Sequence, residues 1–214
     1  MRILFITHSF NSLTQRLYCE MIEQGHDVSI EFDIADSVTE EAVALFKPDL
    51  ILAPFLKRPI PETIWSRHRC LIVHPGVVGD RGPSALDWAI RNGVGEWGIT
   101  VLQAEAEMDA GPVWASATFP MRAARKASIY RNEVTEAAVR AVNATVGRIN
   151  EPDFKPERVP GQAHALMKQA DRAIDWQTDN TATVLAKLNA ADGFPGVADA
   201  LFGQPCHLFD AWTE

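Results

Sequence analysis

Apolar runs that are almost unbroken, RILFITH, DLILAPF and RCLIVHP, recur through the first 75 residues with helix-patterned segments between them. A strand with one face in water alternates apolar with polar residues, so a continuous run marks a strand covered on both faces. Such strands alternating with helices build a mainly parallel sheet flanked by helices. The chain is therefore expected to be α/β with a Rossmann-like sheet. Ligands of such sheets sit beyond the carboxyl ends of the strands, and His74 stands at one of those ends.

The local signals fill in this outline. Ser12 and Gln15 match a capping box ahead of Leu13, Leu17, Met21 and Ile22 at helical spacing, with Gly25 as the stop. HDVSIEFD then reads as a strand. Ser37 and Glu40 repeat the capping pattern, Lys47-Pro48 breaks that helix, and a short helix is expected over 63–67. Gly82-Pro83 opens another, running through Ile90. WGITVLQAEAEMD and GPVWASATFPM read as strands joined at Asp109-Ala110-Gly111, which puts the acidic AEAEMDA patch on the outside of a strand. A long helix over about 128–146 follows, with Val134, Ala138 and Val142 on one face.

The division expected is an α/β domain over 1–150, a polar proline-bearing linker over 151–166, and a smaller C-terminal region over 167–214. That last part holds AIDW, a helix over 179–191 and GFPGV, too little for a core of its own, and is expected to be the start of something larger. A net charge of -8 and a pI near 5.3 argue against nucleic-acid or anionic-membrane partners. The apolar N-terminal run is too short for a signal segment and no run approaches the roughly 20 residues of a span, which points to the cytoplasm. Cys19, Cys70 and Cys206 are scattered, with neither CxxC nor Cys/His ligand spacing, so they read as reduced, mostly buried small hydrophobes, and no metal is expected.

No G-x-G-x-x-G follows the first strand and no P-loop occurs, which weakens an ordinary NAD or ATP reading. The segment HPGVVGDRGP after the RCLIVHP strand is more informative, since its glycines allow close backbone approach to a ligand and its prolines fix a turn. If the loop carrying Asp109 meets it, Asp109 can orient His74 and stabilise its imidazolium. The plain alternatives are a structural His74, a turn-forming Asp109, and Arg81 paired with Asp80 or Asp87 on the surface.

VHPGVVGDRGPSALDWAI followed by GEWGITVLQAEAEMDAGPVWA resembles the core signature of folate-dependent formyltransferases. That signature runs Asn-x-His-Pro, a loop, Arg-Gly, a helix, Gly-[Val/Ile]-Thr and Asp-x-Gly, and the match covers residues 72–114. PDLILAPF and AIDW fit the same family. Within it, HSFNSLTQRL and HPGVVGDRGPSALDWAI are most similar to the N-terminal domain of hydrogenase maturation factors. The resemblance implies a formyltransferase-type sheet and 10-formyltetrahydrofolate as formyl donor. It implies His74 as charged donor or proton shuttle, and Asp109 as the group that fixes its tautomer. Leu56 and Lys57, in a loop whose backbone the family uses, join Arg81, Gly82, Leu102, Gln103 and Glu105 as folate-binding candidates.

Two departures stand out. Ile72 occupies the position of the family's Asn and offers no side-chain donor, and Gly76-Val77-Val78-Gly79 replaces and shortens the Ser-Leu-Leu-Pro stretch. The maturation-factor branch implies an easier acceptor, the thiol of coenzyme A. Its acidic part is expected where a helix N-terminus and arginines gather, at the amides after Ser12 with Arg16 and Arg131. The same branch also implies a crotonase-like domain that takes formyl-CoA and releases carbon monoxide for a [NiFe]-hydrogenase. A transformylase acting on an amine, and a non-catalytic folate-binding or docking domain, remain as alternatives.

Overall fold

The computed structural model describes residues 1–192 and 195–213, so Gly193 and Phe194 of GFPGV lie outside the described residues. In chain order the first half contains β1 (Arg2–Thr7), α1 (Ser12–Glu23), β2 (Asp27–Phe32), α2 (Asp36–Phe46), β3 (Leu50–Phe55), α3 (Glu62–Trp65) and β4 (Cys70–His74). Next come β5 (Asp80–Arg81), α4 (Ala85–Arg91), β6 (Glu96–Gln103), β7 (Val113–Pro120), α5 (Lys126–Ile129), a π-helical turn (Tyr130–Val134) and α6 (Thr135–Arg148). The remainder holds β8 (Gln162–Ala163), α7 (Gln169–Arg172), α8 (Thr181–Asn189) and a hairpin of β9 (Val197–Leu201) and β10 (Gln204–Leu208).

The main sheet has the order β2-β1-β3-β4-β6-β7. Strands β2, β1, β3 and β4 are parallel, whereas β6 runs antiparallel to β4 and pairs β7 as a hairpin. The mainly parallel α/β architecture, with a short additional C-terminal region, is thus what the chain adopts. One face of the sheet packs on α1, α4 and α6 through Leu13, Leu17, Leu86 and Val142, among others. The other packs on α2 and α3 through Val43 and Ile64. Each such side chain contributes about 1.5–3 kcal/mol when fully buried. Both faces being covered is why the strand sequences are apolar without alternation.

Several local expectations shift. Asn11, not Ser12, caps α1, its side chain accepting from the Thr14 amide, while Gln15 donates to the Phe10 carbonyl. Helix α2 starts after Ala35 without any side-chain cap, so the Ser37 and Glu40 pattern lies inside it. The long helix begins at Lys126 and is interrupted by the π turn, where the Thr135 hydroxyl donates to the Tyr130 carbonyl at 2.8 Å. Strand β6 stops at Gln103, so AEAEMDA is loop, not the outside of a strand. The β9/β10 hairpin carries no strong turn signal and was not anticipated. Of the cysteines only Cys70 is buried, which pushes its thiol up to about 12 and keeps it protonated; Cys19 is exposed.

The proline-bearing stretch after α6 runs back over the body. Glu157 bridges to Val113, Phe154 packs on Trp114 with ring centroids 5.3 Å apart, and β8 pairs with β5. The region beyond is anchored by Asp87, only 4% exposed, which pairs with Arg172 of α7 and, at 2.9 Å, with Lys126. Asp87 is therefore a buried anchor and not a surface partner of Arg81. Removing one member of a buried ion network strands the others in low dielectric, at about 3–5 kcal/mol. Asp87→Ala is expected to lower stability by that order in urea denaturation, and a change under about 0.5 kcal/mol would mean that water reaches these cations.

Candidate active site

Strand β4 sorts its side chains between two layers. Leu71 and Val73 join the core beneath α1 and α6, while Cys70 and Ile72 join the layer beneath α2 and α3, so His74 by alternation lies on the latter side. Across the ladder His74 faces Thr100 and Ile72 faces Leu102, with Ala53 on the other side of Ile72. Opposed residues share a face. The Ile72 side chain is thus one row below His74, in a row with Ala53 and Leu102 whose side chains carry no hydrogen-bond donor.

The turn after β4 is tied down from β6. The Thr100 hydroxyl donates to the Gly76 carbonyl at 2.9 Å, and the Trp97 indole N–H to the Pro75 carbonyl at 2.9 Å. A β-carbon at Gly76 would lie 2.4 Å from His74 Nε2 and 2.7 Å from Asp80 Oδ1. Glycine there is what lets His74 and Asp80 meet.

His74 is 4% exposed and lies between two carboxylates. Its Nε2 is 2.9 Å from Asp80 Oδ1, a buried hydrogen bond, and its Nδ1 is 3.6 Å from Asp109 Oδ2. Asp109, in the left-handed region at φ 56°, also accepts the Gly82 N–H at 3.1 Å. The two loops therefore converge as expected, and of the two carboxylates Asp80 lies nearer the ring. Sequence reading assigned Asp80 only as a surface partner of Arg81; it is 6% exposed, and its backbone N–H closes a turn onto the Val77 carbonyl. The signal that was available was an acidic residue inside the glycine-rich loop six positions after His74.

The other candidates separate into groups. Leu56 packs on the same apolar layer as Ile72, and Leu102 is buried beside it; Lys57 is exposed, with its backbone N–H 3.4 Å from Asp33. Arg81 pairs with Glu107 at 3.1 Å and donates to the Val159 carbonyl at 3.2 Å. Arg81 and Glu105 line one polar cleft of about 310 Å³ with Glu107 and Arg158, the latter bonded to Glu105 at 2.6 Å. Gln103 is the exception. It faces Leu71, and its side chain accepts from the Trp114 indole at 3.4 Å, so it points away from His74.

Ser12 occupies the first turn of α1, and Asn11 donates to the Tyr130 hydroxyl at 3.2 Å, which joins that helix start to the π turn bearing Arg131. Burial raises the Tyr130 phenol to about 12, leaving it a neutral partner. Arg16 is held by Glu20 at 2.6 Å, and Glu20 is kept below the usual carboxylate range first by Asn143 and then by Arg16. Arg131 is exposed. Among the described residues no group of three or more His, Cys, Asp or Glu is placed to hold a metal ion, and no helix is long and apolar enough to cross a membrane.

Chemically, a buried imidazole with one nitrogen on each of two carboxylates can accept a proton at one position and hand it on without leaving its seat. Known proteins share the sequence and the fold of this chain. A family model described as formyl transferase matches residues 33–146. The hydrogenase maturation factor HoxX of Bradyrhizobium diazoefficiens is 56% identical over 216 residues, which covers 99% of this chain and 38% of that protein. HypX from Aquifex aeolicus, solved in complex with tetrahydrofolic acid, superposes with a TM-score of 0.94 at 52% identity, over 98% of this chain and 37% of that one. A methionyl-tRNA formyltransferase from Clostridium thermocellum, 17% identical with a TM-score of 0.79 over 100% of this chain and 94% of that one, shares the fold. The chain spans less than two fifths of the maturation factors it matches. The family match takes in β4, the glycine-rich loop and the Asp109 turn together, and the chain belongs to the formyl transferase family.

Proposed function

We propose that this chain transfers a formyl group from 10-formyltetrahydrofolate to the thiol of coenzyme A. The observation that carries this reading is the buried His74 between Asp80 and Asp109 at the carboxyl end of β4, in a chain of this family. The thiol sulfur attacks the formyl carbon while Nδ1 of His74 takes the S–H proton. The imidazolium so formed faces Asp109 and is itself a donor to the tetrahedral oxyanion. Collapse breaks the bond to N10 of the folate, which receives the proton from His74, and formyl-CoA leaves with no net proton gained or lost. A thiol is deprotonated more readily than an amine acceptor near neutral pH, which supports this acceptor in a site where Ile72 offers no oxyanion donor. Formyl-CoA then passes to a crotonase-like domain of the longer protein, which cleaves it to carbon monoxide and coenzyme A for a [NiFe]-hydrogenase. A reduced folate and a free thiol acceptor suit the cytoplasm.

The folate is placed against Leu56, Ile72 and Leu102 with Gly82, Arg81 and Glu105 at its polar end. The acceptor is placed at the start of α1 with Arg16 and Arg131, since a helix N-terminus and arginines favour phosphates. The deciding experiment supplies 10-formyltetrahydrofolate with either coenzyme A or an amine acceptor and follows tetrahydrofolate release and the formylated product. Formyl-CoA is expected; a formylated amine would favour a transformylase, and folate binding without turnover a docking module. Replacing Arg16 and Arg131 together by Ala is expected to weaken coenzyme A binding by about tenfold or more, a loss of about 1.4 kcal/mol. Unchanged affinity would discard that acceptor site.

Ile72→Asn restores a donor two residues from His74 on the same face. One oxyanion donor is worth about 100- to 1,000-fold in rate where it is aimed correctly. Hydrolysis of the formyl donor without acceptor is expected to rise in this variant. A rate equal to or below that of the parent would show that the oxyanion is already served from elsewhere.

A further inference from the structure

His74 is only the middle of a longer arrangement. The second oxygen of Asp80 is buried and has no hydrogen-bond partner, yet His164 Nε2 stands 3.3 Å from it. That distance is within ion-pair reach, although it does not make a hydrogen bond. His164 is carried in by the segment after α6: β8 pairs with β5, its own backbone N–H donates to the Arg81 carbonyl at 2.9 Å, and its carbonyl packs where Gly82 has no side chain. Its side chain is one third exposed, against 2% for Asp80.

We propose that Asp80 and His164 are positioning residues of the formyl-transfer centre, Asp80 fixing which nitrogen of His74 carries the ring proton and His164 holding the far oxygen of Asp80. The inference rests on the formyl-transfer reading for its kinetic consequence, though not for its geometry. An ionised carboxylate can only accept hydrogen bonds, so the 2.9 Å contact from Asp80 keeps the proton of the neutral ring on Nε2. The lone pair is then on Nδ1, on the side of Asp109 and the Gly82 amide, where an acceptor proton can be taken up. Asp109, at 3.6 Å and already engaged by Gly82, is too distant to impose that choice. The segment over 159–164 thereby becomes part of the reacting centre, because it brings the group that completes Asp80.

The test reads the tautomer directly, from the imidazole nitrogen shifts of isotope-labelled protein, together with kinetics. The parent is expected to show a single Nε2–H form of His74. In Asp80→Asn that form should give way to a mixture, since an amide satisfies either ring form, and kcat should fall about 100-fold or more with little change in folate KM. His164→Ala is expected to lower kcat about tenfold, and His164→Gln, which can still donate to Asp80, to recover most of that loss. An unchanged His74 tautomer in Asp80→Asn, or an unchanged kcat in His164→Ala, overturns the proposal. Should Asp80→Asn fail to fold, the contrast between the two His164 variants decides alone. A tautomer change in a protein that transfers formyl to no acceptor would uphold the positioning roles and sink the proposed function instead.

Discussion

His74→Ala is expected to lower formyl transfer by about 100- to 10,000-fold while folate binding stays within a few-fold of the parent. The range is that of a positioned general acid or base. His74 is the group for which both the thiol proton and the proton delivered to N10 are assigned, so its loss removes acceptance and delivery together. The folate candidates Leu56, Ile72 and Leu102 do not depend on it for their packing. Single-turnover measurement of donor consumption, with folate titration in parallel, checks both halves. The substitution also leaves Oδ1 of the buried Asp80 carboxylate without its imidazole, which costs about 1–3 kcal/mol of stability. Donor consumption at the parent rate would mean that the thiol enters as a preformed thiolate and that the imidazole has no part in the reaction.

Gly111→Ala should be nearly as damaging, for a reason that lies in the backbone. A β-carbon at this position would sit 1.9 Å from the Gln103 carbonyl oxygen and 2.9 Å from its carbon. No side-chain adjustment relieves that contact, because the obstacle is main chain, and the Gln103 amide is hydrogen-bonded to the Pro112 carbonyl at 2.9 Å. The ends of β6 and β7 must part, and the loop that carries Asp109 moves with them. Misplacement by about an ångström at a reacting centre costs on the order of 100-fold in rate, and overpacking costs about 1–3 kcal/mol. Loss of both activity and urea resistance is expected. The same substitution at Gly147, in α6 with nothing within 4 Å, should raise stability by about 0.5–1 kcal/mol and leave the rate alone. Equal behaviour of the two variants would show that the hairpin closure does not hold Asp109.

The sheet could be read in advance because its cause is local. Continuous apolar runs and capping residues record, position by position, which faces are covered, and the strands fall where RILFITH, DLILAPF and RCLIVHP stand. Element ends were less legible. Asn11 caps α1 and Ala35 precedes α2, although Ser12 and Ser37 stand close by, because a cap is chosen by where the chain turns toward the sheet and not by composition alone. The π turn was invisible, since an extra residue in a helix leaves the apolar face almost unchanged over so short a stretch.

The site divides in the same way. Placing His74 at a strand end, and Asp109 at a turn that could reach it, required only strand lengths and the family pattern. Placing Asp80 on the ring at 2.9 Å and Asp109 at 3.6 Å required the path of the glycine-rich loop. The Gln103 side chain turns away from His74 because a one-residue step along β6 carries a side chain to the opposite face. His164 is 84 positions from Asp80, in a stretch whose composition suggests only a connector.

The sequence by itself thus determined the α/β architecture, the family and the strand end on which the imidazole stands, because periodicity and motif spacing act through near neighbours. Only the tertiary structure decided which carboxylate holds that imidazole, which side chain meets the other oxygen of that carboxylate, and which candidates face away. The choice of carboxylate turns on a difference of less than an ångström between groups brought together by loops, and no local pattern in the chain encodes it.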